Sequence, residues 1–187
     1  MTVQSTAQDQ VLRYEVLGSR RFSNYWWATI VSMGGTGFLL AGLSSYFHAN
    51  LLPMGRAMDL PFFPQGAAMT FYGVAGVLLA TYLWLVIAWD VGGGYNEFDA
   101  VDEMVRIFRW GYPGKNRQLS VNCRFQDVQS VRIYIREGLS PKRTLYLRIK
   151  GRGDIPLTRV GQPLPLAKLE DQAAAIARFV GVPMEGF

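Results

Sequence analysis

The chain has little with which to build a conventional reactive centre. Among its 187 residues there is one cysteine, Cys123, and one histidine, His48. A single cysteine excludes an intramolecular disulfide and every multi-cysteine zinc or iron–sulfur arrangement. A single histidine removes a histidine-rich metal site as well. Charge is scarce too: 18% of the residues are charged, against about 25% in a typical soluble domain. Half of the chain is apolar and 13% is aromatic, which excludes a disordered tail or a highly charged nucleic-acid-binding arm.

The charges that exist are unevenly placed. No Asp, Glu, Lys or Arg occurs from Phe22 to Gly55, or again from Leu60 to Trp89. Each gap holds a mainly apolar stretch of membrane-spanning length, Tyr25–Tyr46 and Met69–Trp89. At 1.5 Å per residue each helix would reach about 30 Å, the thickness of a bilayer's hydrocarbon core. Helices buried in a soluble core seldom run so long without a charge. The first span is too long for a cleaved signal, and the polar leader before it carries Asp9 and Glu15. That leader is also poor in the Arg and Ser expected of a transit peptide.

Basic residues orient the hairpin. Arg13, Arg20 and Arg21 precede the first span, the intervening segment 47–68 has only Arg56, and residues 90–187 hold 15 of the 19 basic side chains. Both termini are therefore expected on the cytoplasmic or stromal side. Arg20, Arg21, Trp26, Trp27, Trp84 and Trp89 are the expected interface anchors of that leaflet. Gly37 with Ala41, and Gly76 with Ala80, form small-xxx-small pairs through which the helices can approach. Neither span contains an ionisable group before Asp90, which argues against an ion or proton pathway.

Residues 90–187 read as a small soluble α+β domain. The glycine triplet Gly92–Gly94 lacks the spacing and the Lys-Ser/Thr of a phosphate loop and reads as a hinge or tight turn. Period-two alternation then marks strands at Val105–Ile107, Leu119–Phe125, Val131–Arg136 and Leu145–Lys150. Past Pro165 the period becomes helical, with Leu166, Leu169, Ala173, Ile176 and Phe179 or Val180 on one face, ending at Gly181 and Pro183. The predicted organisation is a polar leader (1–24), a two-span transmembrane hairpin (25–89) with a far-side loop (47–68), and an antiparallel sheet covered by a C-terminal helix (90–187). A pleckstrin-homology-like split barrel has this order of elements.

No catalytic, cofactor-binding or metal-binding residues are assigned. Cys123 shares an alternating face with Val121 and Phe125, as a small core residue would. His48 at the far end of the first span reads as an interfacial histidine rather than a pigment ligand. The acidic pairs Asp102–Glu103 and Glu170–Asp171 are sequence neighbours and do not face one another across a substrate.

Five segments carry a resemblance. They are Gly18-Ser19-Arg20-Arg21-Phe22-Ser23-Asn24-Tyr25-Trp26-Trp27-Ala28, Leu40-Ala41-Gly42-Leu43-Ser44-Ser45-Tyr46 and Leu60-Pro61-Phe62-Phe63-Pro64-Gln65-Gly66, then residues 89–98 and residues 108–117. In this order they closely resemble the photosystem I assembly protein family, first named as a hypothetical chloroplast reading frame, number four. The resemblance implies a non-catalytic scaffold in the thylakoid membrane of a cyanobacterium or plastid. Its partners would be newly made photosystem I subunits, their assembly intermediates and the lipid bilayer, with no nucleic acid; a homo-oligomer is compatible with it. The alternative is a membrane-anchored lipid-binding or regulatory module.

Sequence geometry also suggests a binding face. If the strands near 129–136 and 144–150 form a hairpin, Arg132, Tyr134 and Arg136 share its outer face with Tyr146, Arg148 and Lys150. Tyr134 would lie opposite Tyr146 and Arg132 opposite Arg148, or the register would slip by two. The topology has a direct test. A cysteine introduced at Ser140 should react with an impermeant thiol reagent only from the cytoplasmic or stromal side of sealed membranes. One introduced at Met58 should react only from the other, and labelling of both from one side would end the hairpin reading.

Overall fold

The computed structural model describes residues 10–53, 57–115, 117–136, 142–158 and 165–186. They divide into two units, a helical one from Ser19 to Val91 and a strand-bearing one made of the described residues up to Gly18 and from Gly92 onward.

In the helical unit α1 spans Phe22–Phe47 and α2 spans Ala67–Ala88, each a few residues offset from the expected limits. Both are long and apolar enough to cross a membrane. They pack along buried stripes spaced by seven: the small residues Ala28, Gly35 and Gly42 on α1, and on α2 the small Gly73 and Ala80 followed by the larger Ile87. Side-chain-free positions let the backbones touch. A methyl group on Gly35 would overlap the Gly76 backbone, and one on Gly73 would overlap the Leu39 backbone.

Gly76 lies against the Gly35 backbone and Ala80 is buried. Gly37 has no such contact: a Cβ there would meet nothing within 4 Å. Gly37 and Ala41 instead line a shallow groove with Met33 and Phe38. An apolar helix carries small residues on several faces, and only the partner's stripe selects among them.

Hydrogen bonds fasten both ends of the pair. At one end Ser19 Oγ donates to the Val86 carbonyl at 2.6 Å, and Arg20 donates to the Ile87 and Ala88 carbonyls at 3.4 and 3.2 Å. These carbonyls belong to the last turn of α2, where a cation also meets the negative end of the helix dipole. At the other end Ser45 Oγ donates to Leu60 O, and Ser44 Oγ accepts from Leu51 N.

In the strand-bearing unit β1 (Val11–Val16), β2 (Gly94–Asp99), β3 (Met104–Trp110) and β4 (Gln118–Arg124) form an antiparallel sheet in sequential order. The leader expected over residues 1–24 therefore supplies a strand, with Arg13 opposite Glu97. Of the two readings of the glycine triplet, hinge or tight turn, the structure has the turn, ending at Gly92. Gly92 N–H donates to Trp110 O, Trp110 N–H donates to Gly93 O, and Gly94 opens β2. A side chain on Gly94 would overlap the Phe108 carbonyl, so the close approach of β2 and β3 requires glycine there. Phe125, expected to end a strand, opens a short 3₁₀ turn, Phe125–Asp127.

The second sheet has the order β7-β6-β5-β8, with β5 (Val128–Arg136), β6 (Lys142–Ile149), β7 (Gly153–Pro156) and a two-residue parallel strand β8 (Met184–Glu185). The turn expected at Glu137–Lys142 falls outside the described residues for all but Lys142. Helix α3 (Leu166–Val180) ends at Gly181, whose φ of 76° is left-handed and whose N–H caps the Ala177 carbonyl. Its Leu169, Ala173, Ile176 and Ala177 join one continuous core with Phe98, Val105 and Ile107 of the first sheet and Val131, Ile133, Leu145 and Leu147 of the second. Each fully buried Leu or Ile contributes about 1.5–3 kcal/mol.

The glycine contacts yield a paired prediction. Gly73→Ile should destabilise the purified full-length protein in mild detergent by about 1–3 kcal/mol through overpacking, lowering its thermal midpoint. Gly37→Ile should leave the midpoint unchanged; equal effects would misplace the helix seam.

Candidate functional site

Strands β5 and β6 position the residues expected to bind a partner. Their observed register is the slipped one: Arg132 lies opposite Tyr146, Tyr134 opposite Thr144 and Ser130 opposite Arg148. A shift of two residues preserves the face while changing every neighbour. Arg132, Tyr134, Tyr146 and Arg148 are thus still together, and the two tyrosine rings meet edge to face at 6.4 Å. The arginines have answered one another's charge by other means. Arg132 pairs with Asp154 at 2.9 Å, and Glu185 lies 3.5 Å from Arg132 and 3.6 Å from Arg148. Arg136 and Lys150 remain exposed at opposite ends of the hairpin, Lys150 one residue past the end of β6. Tyr134 is 51% exposed beside Arg136. Among the described residues Arg136 and Lys150 are the basic members of this face without an ion pair, and they stand at separate ends of it.

Across the core, Arg109 reaches inward from β3. Its guanidinium donates to Tyr95 O (2.9 Å), Phe108 O (2.7 Å), Asn96 Oδ1 (2.7 Å) and Leu157 O (2.9 Å). Asn96, 3% exposed, also donates to Leu157 O at 2.8 Å. All of these acceptors are neutral, and no ion pair of Arg109 is present among the described residues. Burial lowers its pKa, yet a guanidinium keeps its proton at neutral pH. A structural cation thus stitches the first sheet to the segment following β7.

The family model named Ycf4 matches residues 9–178. The chain belongs to the Ycf4 family. It is 67% identical to the photosystem I assembly protein Ycf4 of Cyanothece sp. over all of both chains. It is 68% identical to the protein of the same name from Thermosynechococcus vestitus, covering all of this chain and 97% of the other. Identity to that of Nostoc punctiforme is 62%, again over both full lengths.

This Ycf4-family chain also carries a face that sequence reasoning missed. Tyr95 and Phe108 stack at 5.4 Å on β2 and β3, and Trp110 meets Phe108 edge-on at 4.9 Å. Arg13 covers Tyr95 at 4.0 Å and Arg117 covers Trp110 at 5.2 Å. The available signal was the alternation through residues 106–110, which places Phe108 and Trp110 on one side; its partner strand was hidden by the glycine triplet. Beside this row Glu97 bridges Arg13 and Arg106, while Asp99 and Asp102 also pair with Arg106. Hydrogen bonds to Glu97 and Asp102 raise the Arg106 pKa.

The expected interface aromatics Trp26, Trp27 and Trp84 are exposed on their helices, whereas Trp84 additionally donates its indole N–H to Ser32 Oγ at 3.0 Å. Arg20 caps α2 rather than standing free. Cys123 is buried in the core, and desolvation, reinforced by Asp127 and opposed by Arg152, raises its thiol pKa; a raised pKa leaves the thiol protonated and unreactive at neutral pH. His48 ends α1 in a left-handed conformation, its Nδ1 donating to Ser45 O at 2.9 Å. No cluster of three or more metal-binding side chains occurs among the described residues.

Removing the Arg109 donors strands a buried carboxamide oxygen and backbone carbonyls. Arg109→Ala should therefore cost about 3 kcal/mol, read as a lowered thermal midpoint of the full-length protein. Arg109→Lys, which keeps part of the bonding, should cost less. A midpoint unchanged in Arg109→Ala would deny the node its structural role.

Proposed function

We propose that this chain is a non-catalytic assembly factor for photosystem I, held in the thylakoid membrane by the α1–α2 hairpin. The observation that carries the reading is full-length identity of 67% to a protein named for that role. The polar groups within the helices are consistent with an anchor rather than a pathway. Thr29, Ser32, Thr70 and Thr81 each donate to the carbonyl one turn back, which satisfies them inside an apolar surrounding.

The pairing of β1 with β2 supports a hairpin that returns to its starting side. Strand β1 precedes α1 and β2 follows α2, so residues 11–16 and 94–99 must meet in one compartment. The excess of basic residues in both flanks favours the cytoplasmic or stromal compartment. A four-stranded antiparallel meander, three further antiparallel strands and a helix over their shared core support a pleckstrin-homology-like barrel, with β8 as an addition.

Scaffolding requires a face that can seize a client. Exposed tyrosine with basic side chains is the composition favoured at binding hot spots; Tyr134, Arg136 and Lys150 offer it, the two basic groups having no ion pair among the described residues. In this reading Arg132 and Arg148 position the hairpin through Asp154 and Glu185 and leave the contact to their neighbours. The test is complementation of a strain lacking the protein. Without it photosystem I should fall while photosystem II persists. A Tyr134→Ala, Arg136→Glu, Lys150→Glu variant should insert at the wild-type level but recover photosystem I subunits on affinity purification roughly tenfold less well. Undiminished recovery would place the client face elsewhere, and normal photosystem I in the deletion strain would remove the assembly role.

A further inference from the structure

A cavity of about 210 Å³ opens in the strand-bearing unit between β1, the segment after β7, and α3. Residues 14–17 form one wall, Leu157 and Thr158 a second, and Lys168, Gln172 and Ile176 a third. In the first wall Tyr14, Glu15 and Val16 are consecutive in β1, and Leu17 follows its end. Side chains alternate along a strand, so three in a row present its edge and not one of its faces. That edge is open: β1 is the terminal strand of its sheet and pairs with β2 alone among the described residues. The third wall is a helical stripe of spacing four, which can carry side chains of an occupant laid alongside.

Two polar groups in this cavity have no partner among the described residues. Gln172 Oε1 is buried without a hydrogen bond, and a buried acceptor left unmade costs about 1–3 kcal/mol. Lys168, one turn before it on the same stripe and exposed, has no ion pair among the described residues. The groups that face them are Glu15 and Tyr14 on β1 and Asn96 on β2. Asn96 is fully engaged with Arg109 and Leu157. The volume falls below the roughly 300 Å³ at which drug-sized sites begin, enough for an anchoring side chain but small for a free cofactor.

We propose that this cavity binds an extended segment of a partner protein, which adds to the free edge of β1 and lies against α3. Its backbone would continue the sheet, as in other cases of strand addition. An apolar side chain would enter between Leu157 and Ile176, an N–H would reach Gln172 Oε1, and an acidic side chain would meet Lys168. The site lies apart from the β5–β6 face and does not depend on the identity of the client there.

The experiment screens a random peptide library against the full-length protein in detergent. Enriched peptides should share an apolar anchor with a nearby carboxylate. Their affinity should fall roughly tenfold in Lys168→Glu and in Gln172→Ala, each checked for an unchanged thermal midpoint, since loss of a charge-assisted or buried hydrogen bond is of that size. Because Lys168 is exposed, its replacement keeps the test valid even where Gln172→Ala destabilises the chain. Bound peptide should slow hydrogen exchange at the amides of β1 and leave those of β4 unchanged. Failure to enrich any peptide, undiminished binding to Lys168→Glu, or protection at β4 in place of β1 would each overturn the proposal.

Discussion

A single guanidinium holds the strand-bearing unit in its shape. Two sheets that share an apolar core gain most of their stability without direction, because burial favours contact but not one particular alignment. Arg109 supplies the direction. Its donors reach a carboxamide and three backbone carbonyls drawn from β2, β3 and the chain beyond β7. A buried cation without a carboxylate is costly unless fully hydrogen-bonded, so the acceptors must all be in place together. That demand fixes where Leu157 lies relative to Asn96, and both residues wall the cavity beside α3. The node and the cavity are parts of one arrangement.

The helical unit solves the opposite problem. Its helices are apolar on most faces, so hydrophobicity does not single out a contact face and small residues decide the seam. Gly35 against Gly76 and Gly73 against Leu39 bring main chains into contact, and polar side chains appear mainly where a helix ends. Ser19 and Arg20 serve one end, Ser44 and Ser45 the other. Two hydroxyls of the first span, those of Ser44 and Ser45, thereby fasten the loop that follows it.

Much of this was legible in order of residues alone, and the exceptions share a cause. The two long helices follow from the absence of charge, and α3 from a clean helical stripe, because both signals are local. The faces of β5 and β6 follow from alternation, but alternation has period two and cannot distinguish registers that differ by two. Strand β1 looked like a polar leader because its partner begins 78 residues after it ends. Gly94 looked like part of a hinge or tight turn because the carbonyl that forbids a side chain there belongs to Phe108. Asp154 and Glu185, which neutralise Arg132, are likewise remote in sequence. Gly37 and Ala41 fit the small-residue pattern as well as Gly35 and Gly42 do, and only the facing helix chooses.

The connection from β1 to β2 runs through the whole hairpin, since residues 17–93 separate two neighbouring strands of one sheet. The helices are therefore an insertion within the domain rather than an appendage to it. As the chain is synthesised, the first strand emerges and must wait, unpaired, until both helices have been made and β2 follows. Closing so long a loop delays sheet formation, and it ties completion of the first sheet to completion of both helices. A molecule whose helices failed to bring the chain back would leave the sheet one strand short and its edge at β2 uncovered. Completion of this sheet is in this way a report that the inserted helical pair has been made and closed.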